Sequence, residues 1–156
     1  MQKSTSLLER RLIEAEMLAA VYEALCGSHG QETALDVIRR TVETVAYEAG
    51  RAFAAAAPDG PGFEHFRTVV ELWKGTGALR IENEVVTPNT LRFDVTRCEY
   101  VAAYREMGLP PELRGVLSCA RDAPFARGYS DRIEFSRPDT IADGKPACGF
   151  SFHWRE

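Results

Sequence analysis

The first 75 positions place apolar residues at the spacing of amphipathic helices. Steps of three and four residues predict a first helix with an apolar stripe made of Leu8, Leu12, Ala15, Ala19, Tyr22 and Cys26. Ser6 is the predicted N-cap, and Gly27 fits the position just beyond the last turn. The short segment 27–30 then predicts a tight connection to a second, antiparallel helix.

The second helix is predicted from Gln31 to Ala57. Its expected stripe is Leu35, Ile38, Val42, Val45, Ala49 and Phe53. Small residues cluster around Gly50 and would permit close packing against a neighbouring element. A third helix is predicted from about Phe63 to Lys74, after a Pro- and Gly-rich break.

The hydrophobic period then changes from 3.6 to 2, which indicates strands. Leu79 and Ile81 alternate with polar residues, and so do Leu91, Phe93 and Val95, so the two segments predict an antiparallel pair. Near the end of the chain, two further strand-like segments have their apolar positions at Ile133 and Phe135 and at Cys148, Phe150, Phe152 and Trp154.

Two helices are expected between these strands. Thr96 and Glu99 match a capping box and predict a helix that starts there and ends at Met107. A shorter helix is predicted from Val116 to Arg127. Helices first, and strands with helices afterwards, predict an α+β fold with helices against one antiparallel sheet.

Composition is consistent with one globular domain spanning residues 1–156, with a helical part at 1–75 and a strand–helix part at 76–156. The 156 residues are 45% hydrophobic and 27% charged, and the net charge of −4 argues against nucleic-acid and anionic-membrane partners. There is no run of about 18 apolar residues, and the N-terminus lacks the apolar core of a secretion signal. A cytoplasmic location is therefore expected.

In that compartment the four cysteines are expected as thiols, metal ligands or catalysts rather than disulfides. Cys26 lies on the first apolar stripe and is interpreted as packing. Cys98 would be the second residue of the helix capped by Thr96, where free backbone N–H groups and the helix dipole favour a thiolate; a buried, unreactive thiol is the alternative.

Cys119 and Asp122 are three residues apart and would share a helix face. Such a pair could transfer protons or bind a metal; one inward thiol beside a solvated carboxylate explains it equally well. Cys148 is predicted to face the apolar side of its strand, and Arg137 to share a face with Ile133 and Phe135. A buried Arg137 would need an anion, either Asp122 or a substrate, unless the strand end is solvated.

The second half resembles the L-2-amino-thiazoline-4-carboxylic acid hydrolase family. The resemblance runs from about Phe93 to Trp154 and rests on these segments: Phe93-Asp94-Val95-Thr96-Arg97-Cys98-x-Tyr100, Tyr104-Arg105-Glu106-Met107-Gly108-Leu109-Pro110, Cys119-x-x-Asp122, Phe125-Ala126-x-Gly128-Tyr129, Arg137-Pro138-x-Thr140-Ile141 and Gly144-x-x-x-Cys148-Gly149-Phe150. The resemblance implies a hydrolase that opens a C–N bond in a cyclic amidine-like (isothiourea) carboxylate.

For that chemistry the candidate catalytic residues are Cys98, Cys119, Cys148 and Asp122. Cys98 or Cys119 would attack as a thiolate, and Asp122 would protonate the leaving nitrogen and activate water. Arg97 or Arg137 would hold the carboxylate of the substrate.

Other interpretations fit the same residues. Cys98, Cys119, Cys148 and Asp122 could bind zinc, although a metal-free site is preferred here, with no cofactor. The protein could also be a non-catalytic small-molecule-binding or zinc-binding module, or a scavenger of soft metals. The family is similar to α+β ligand-binding domains that are commonly dimeric, so a homodimer is a further expectation.

Overall fold

The computed structural model describes residues 4–156. Its helices are α1 (Leu7–His29), α2 (Gln31–Ala55), α3 (Phe63–Arg67), α4 (Val69–Lys74), α5 (Glu99–Glu106), α6 (Pro111–Leu117) and α7 (Asp122–Tyr129). Its strands are β1 (Leu79–Val86), β2 (Thr90–Cys98), β3 (Ile133–Ser136) and β4 (Cys148–Trp154). Short 3-10 turns span Cys119–Arg121 and Ile141–Asp143. The predicted α+β class is confirmed.

The four strands form one antiparallel sheet in the order β1-β2-β4-β3. Its apolar face follows the predicted alternation, because Cys148, Phe150 and Phe152 of β4 are all buried. Phe150 lies opposite Phe93 of β2, and their rings stack with centroids 4.9 Å apart. The helices cover this face; Phe66 of α3, for example, packs edge-on against Phe152.

The N-terminal hairpin forms as predicted, but its turn lies three residues later. Ser6 caps α1: its side chain accepts a hydrogen bond from the Glu9 amide, and the Glu9 carboxylate accepts one from the Ser6 amide. Gly27 does not end the helix, which continues to His29. Gly30 makes the turn because its φ of 84° is accessible to glycine at no steric cost.

The buried face of α2 differs from the expected stripe. Val45 and Ala49 are exposed, and the buried residues instead recur every fourth position: Ala34, Ile38, Val42, Ala46, Gly50 and Ala54. A hydropathy pattern undervalues alanine and glycine, yet these small residues let α7 approach closely. The small-residue region around Gly50 is therefore filled by α7 of the same chain.

Three other predicted helix boundaries differ from those of the structure. The predicted helix 63–74 is divided at Thr68 into α3 and α4, and the predicted helix 116–127 is α6, a 3-10 turn and α7. The capping box at Thr96 does not form, since β2 continues through Cys98, which pairs with Leu79 of β1. Sheet pairing overrides the local capping signal, and α5 begins at Glu99.

Buried side chains form two clusters. One lies between the sheet and α3, α4 and α7; the other lies among α1, α2, α5 and α6. Leu79 and Cys98 pack against both clusters, so they mark the boundary between them. Within the described part of the chain, no helix has the length and apolar character needed to cross a bilayer.

Candidate functional site

A cavity of about 700 Å³ lies where the two buried clusters meet. All layers of the fold contribute to its wall. Its apolar and aromatic lining includes Leu7, Ala46, Ala49, Ala52, Phe53, Ala56, Val69, Leu72, Trp73, Leu79, Val95, Tyr100, Val101, Phe125 and Phe150. Its remaining lining is Arg10, Arg11, Cys98, Ser118, Cys119, Arg121, Asp122, Arg137 and Cys148. The structure thus brings Cys98, Cys119, Cys148, Asp122 and Arg137 to one cavity.

Arg137 and Asp122 form an ion pair in the wall. Their side chains are only 11% and 18% exposed, and Arg137 Nη1 donates to Asp122 Oδ2. Arg137 Nη2 donates to the Cys119 carbonyl at 2.9 Å, and the guanidinium lies 5.2 Å from the centre of the Phe150 ring. This fits the strand parity, which placed Arg137 on the apolar face, and it fixes the orientation of the Asp122 carboxylate.

The pKa of Asp122 is shifted to the range where enzymes use acids and bases. Burial raises this pKa to about 6, because desolvation of the carboxylate outweighs the nearby charges of Arg137, Arg121 and Arg11. At pH 7 the group is mainly ionised but can still accept and return a proton at modest cost. A general acid–base group with a pKa near the working pH has this property.

The pKa values of the three cavity thiols are raised, whereas the sequence predicted a lowered pKa for Cys98. Burial raises the pKa of Cys98 to about 11, although the backbone N–H groups of Val101 and Tyr100 lower it in part. Burial and the Asp122 carboxylate raise the pKa of Cys119 to about 12. Burial also raises the pKa of Cys148, whose Sγ accepts a hydrogen bond from the Ile141 amide at 3.1 Å. The helix N-terminus exists, but desolvation dominates.

We therefore expect the three cavity cysteines to react slowly with Ellman's reagent at neutral pH. With a pKa of about 11, only about one thiol in ten thousand is ionised at pH 7. A Cys26→Ser variant isolates these three, since Cys26 lies outside the cavity on α1. Stopped-flow kinetics should show a rate that rises about tenfold per pH unit up to pH 10.

The dependence of the rate on pH shows whether the thiols react slowly because few are ionised or because the reagent cannot reach them. Denatured protein is the control, because all remaining thiols then react at ordinary rates. A fast phase in the folded Cys26→Ser variant at pH 7 would reveal a stabilised thiolate and contradict this assignment.

Arg97 is not brought to the cavity. It lies on β2 with its side chain 72% exposed, where it pairs with Glu99. A bulge explains this position. In a regular strand Arg97 would share the cavity face of Val95, but Arg80 pairs with Arg97 and the next residue, Ile81, pairs with Val95, so one extra residue in β2 reverses the alternation. Arg97 does not contact the candidate substrate site.

Metal binding receives no support from the cavity's geometry. Among residues 4–156, no three His, Cys, Asp or Glu side chains are grouped closely enough to hold an ion. Cys98, Cys119, Cys148 and Asp122 share the cavity wall without forming such a group. These four residues therefore do not form the close group of ligands that the zinc interpretation requires.

Sequence reasoning missed three cavity arginines, Arg10, Arg11 and Arg121. Arg11 and Arg121 both donate to the Glu14 carboxylate: Arg11 Nη1 at 2.8 Å from Oε2, and Arg121 Nη2 at 3.0 Å from the same oxygen. Arg121 lies between Cys119 and Asp122 in the sequence, so its position next to two candidate site residues was a signal that could have identified it. The position of Arg11 on α1 offered no such signal, because its importance comes from the packing of α1 near residue 121.

Comparison with known proteins shows a solved structure with a similar fold and the family to which the chain belongs. A search of curated proteins found no match. Among solved structures, the phenol-responsive sensory domain of the transcription activator PoxR, determined with phenol, is similar with a TM-score of 0.55 and 12% identity, over 90% of this chain and 74% of that one. The model of the L-2-amino-thiazoline-4-carboxylic acid hydrolase family matches residues 10–152. Because that match spans nearly the whole chain, the protein belongs to this family.

Proposed function

We propose that this protein is a small-molecule hydrolase that opens a C–N bond in a cyclic amidine- or isothiourea-like carboxylate. One observation carries the proposal: a carboxyl group with a pKa of about 6, Asp122, lies on the wall of a cavity and is held in place by Arg137. The family name gives the reaction class, and the cavity supplies the acid–base group that this class requires.

The cavity suits a small ring compound. Its volume of about 700 Å³ falls within the usual range for ligand sites, roughly 300–1,000 Å³. Phe53, Trp73, Phe125 and Phe150 provide flat apolar walls, while Asp122 supplies a polar group within them. An amidine placed near Asp122 would find a carboxylate partner in surroundings where water is scarce, which strengthens the attraction.

In the proposed reaction, water adds to the carbon between the two heteroatoms. Asp122 takes one proton from the water as the new C–O bond forms. Asp122 gives this proton to the ring nitrogen, whose double bond to the carbon becomes single. The ring C–N bond then breaks as Asp122 takes the second proton from the new hydroxyl group and passes it to the leaving nitrogen. The product contains the substrate plus one water molecule, with a carbonyl where the amidine carbon was. Arg137 acts as a positioning residue, because it orients the Asp122 carboxylate through both its ion pair and its contact with Phe150.

The raised thiol pKa values favour water over cysteine as the nucleophile. A neutral thiol is a poor nucleophile, and forming a thiolate at Cys98 or Cys119 would require removing a proton from a group with a pKa of about 11 or about 12. The cysteines then serve as uncharged walls of the cavity. This changes the sequence-based hypothesis, in which a cysteine attacked the substrate and Asp122 transferred the protons.

The test is turnover of 2-amino-thiazoline-4-carboxylate, followed by mass spectrometry as the gain of one water. We expect the wild-type protein to convert it, and each of Cys98→Ala, Cys119→Ala and Cys148→Ala to retain kcat within about tenfold. Loss of a covalent nucleophile would instead cost about 10⁴-fold or more. Such a loss in one cysteine variant would restore covalent catalysis, and no conversion by wild-type protein would refute the hydrolase proposal for this substrate.

A non-catalytic binding module is the second candidate. The similar PoxR sensory domain was solved with phenol, and the neutral thiols here suit an uncharged aromatic ligand. Calorimetry separates the two functions: tight phenol binding together with no turnover of any cyclic amidine would favour a sensory or carrier role.

A further inference from the structure

The cavity wall carries more positive than negative charge. Its charged lining comprises four arginines, Arg10, Arg11, Arg121 and Arg137, whereas Asp122 is the one acidic residue among the described residues of the wall. Arg137 is already neutralised by Asp122. The remaining excess therefore lies with the arginines on the α1 side, although the whole chain is net negative.

Arg121 has an unused donor beside this cavity. Its side chain is 11% exposed; Nε donates to the Leu117 carbonyl at 2.8 Å, and Nη2 donates to Glu14. Nη1 is buried and has no hydrogen-bond partner within the described residues. Nε of Arg137 is likewise buried without a partner among the described residues, but Arg137 is already neutralised by Asp122. A buried charged donor left unpaired is costly, and since Arg121 lines the cavity, a small rotation of its guanidinium would bring Nη1 to an acceptor carried by a ligand.

One carboxylate serves both guanidinium groups. Glu14 accepts from Arg11 and from Arg121, so the three side chains together carry one net positive charge. Arg11 and Glu14 are 20% and 33% exposed, which places the group at the more open end of the wall relative to Arg121. An anion bound by Arg121 would complete the charge balance and occupy Nη1.

We propose that Arg121, assisted by Arg11, binds the carboxylate of the substrate. The identity of the substrate rests on the function proposed above, but the preference for an anion does not. Arg121 directly precedes Asp122, and both line the cavity. A small ring with its carboxylate on Arg121 would therefore have its amidine within the region of Asp122. This replaces Arg97 and Arg137 as the carboxylate-binding residues.

Equilibrium binding of two matched ligands tests the proposal. The probes are thiazole-4-carboxylate, which has no cyclic amidine to hydrolyse, and its neutral carboxamide, measured by calorimetry on protein that keeps Asp122, so that Arg137 stays neutralised. We expect the carboxylate to bind about 10- to 100-fold more tightly than the amide, the usual range for hydrogen bonds to charged groups. Introducing Arg121→Met should remove most of this preference. Introducing Arg80→Met, at an exposed arginine paired with Glu82 on β1, should preserve it.

A second variant predicts the opposite change and guards against misfolding. Glu14→Gln removes the competing carboxylate but keeps an acceptor, so the carboxylate ligand should bind severalfold more tightly while amide binding stays constant. An unchanged carboxylate-to-amide ratio in Arg121→Met, or weaker carboxylate binding in Glu14→Gln, would overturn the proposal. If the wild-type protein shows no turnover yet the ratio behaves as expected, the hydrolase function fails and the anion site stands.

Discussion

Replacing Gly50 with alanine is expected to destabilise the protein by about 3 kcal/mol, the upper end of the range for overpacking. A Cβ at this position would lie 2.1 Å from the Phe125 carbonyl oxygen and 2.9 Å from the Tyr129 amide nitrogen. Both atoms belong to the backbone of α7, so no side-chain rotation can relieve the overlap and the two helices must separate. Urea unfolding followed by circular dichroism would measure the loss.

The matched control is Gly27→Ala on α1. Apart from the adjacent residues and the backbone of the same helix, no described atom lies within 4 Å of a Cβ added there, and the residue lies inside a helix. This substitution should stabilise the protein by about 0.5–1 kcal/mol, since alanine is the better helix former. Equal stability changes at Gly50 and Gly27 would show that α2 and α7 are not in the close contact described.

The same contact explains why the buried face of α2 was predicted wrongly, although the helix itself was predicted from the same first residue, Gln31. Gly128 of α7 is the reciprocal position, because a Cβ there would lie 2.1 Å from the Tyr47 carbonyl oxygen of α2. A hydropathy pattern ranks residues by apolar area, whereas this interface is made by residues that have almost none. The glycines could be noticed in the sequence, but their partners lie far away along the chain and cannot be paired from one sequence.

Strand parity was the more dependable guide. It predicted the inward face of β4 and the position of Arg137, because alternation along a strand depends only on local geometry. The helix signal at Cys98 failed for the converse reason. The Thr96 and Glu99 capping pattern is local, but the pairing of Cys98 with Leu79 extends the strand and is not visible in the local sequence.

The chemistry of the site also depends on burial, which the sequence did not supply. The position of Cys98 next to a helix N-terminus suggested a thiolate, and the resemblance to the hydrolase family implied one at Cys98 or Cys119. Desolvation reverses this suggestion for Cys98 and Cys119, and the same effect raises the pKa of Asp122 into the useful range. One physical cause therefore makes the thiols poor nucleophiles and the carboxyl group a suitable proton carrier.

This assignment makes the pH dependence of turnover a specific expectation. Asp122 must be ionised to accept a proton from water. Because its pKa is raised to about 6, kcat/KM should fall as pH decreases through about 6 and reach a plateau above it. An unshifted aspartate would place this limb near pH ~4. The pKa values of the free substrate are measured in a separate titration, so that ionisation of the substrate is not mistaken for that of Asp122.

Asp122→Asn should lower kcat/KM by about 10²- to 10⁴-fold and abolish the limb near pH 6, because an amide can neither accept nor return the proton. The substituted amide retains an oxygen acceptor for Arg137, and circular dichroism should confirm the fold. The control is Asp94→Asn on β2, whose carboxylate accepts from Asn83 and does not line the cavity; it should leave both rate and pH profile unchanged. A folded Asp122→Asn variant with the wild-type profile would move the acid–base role to another group.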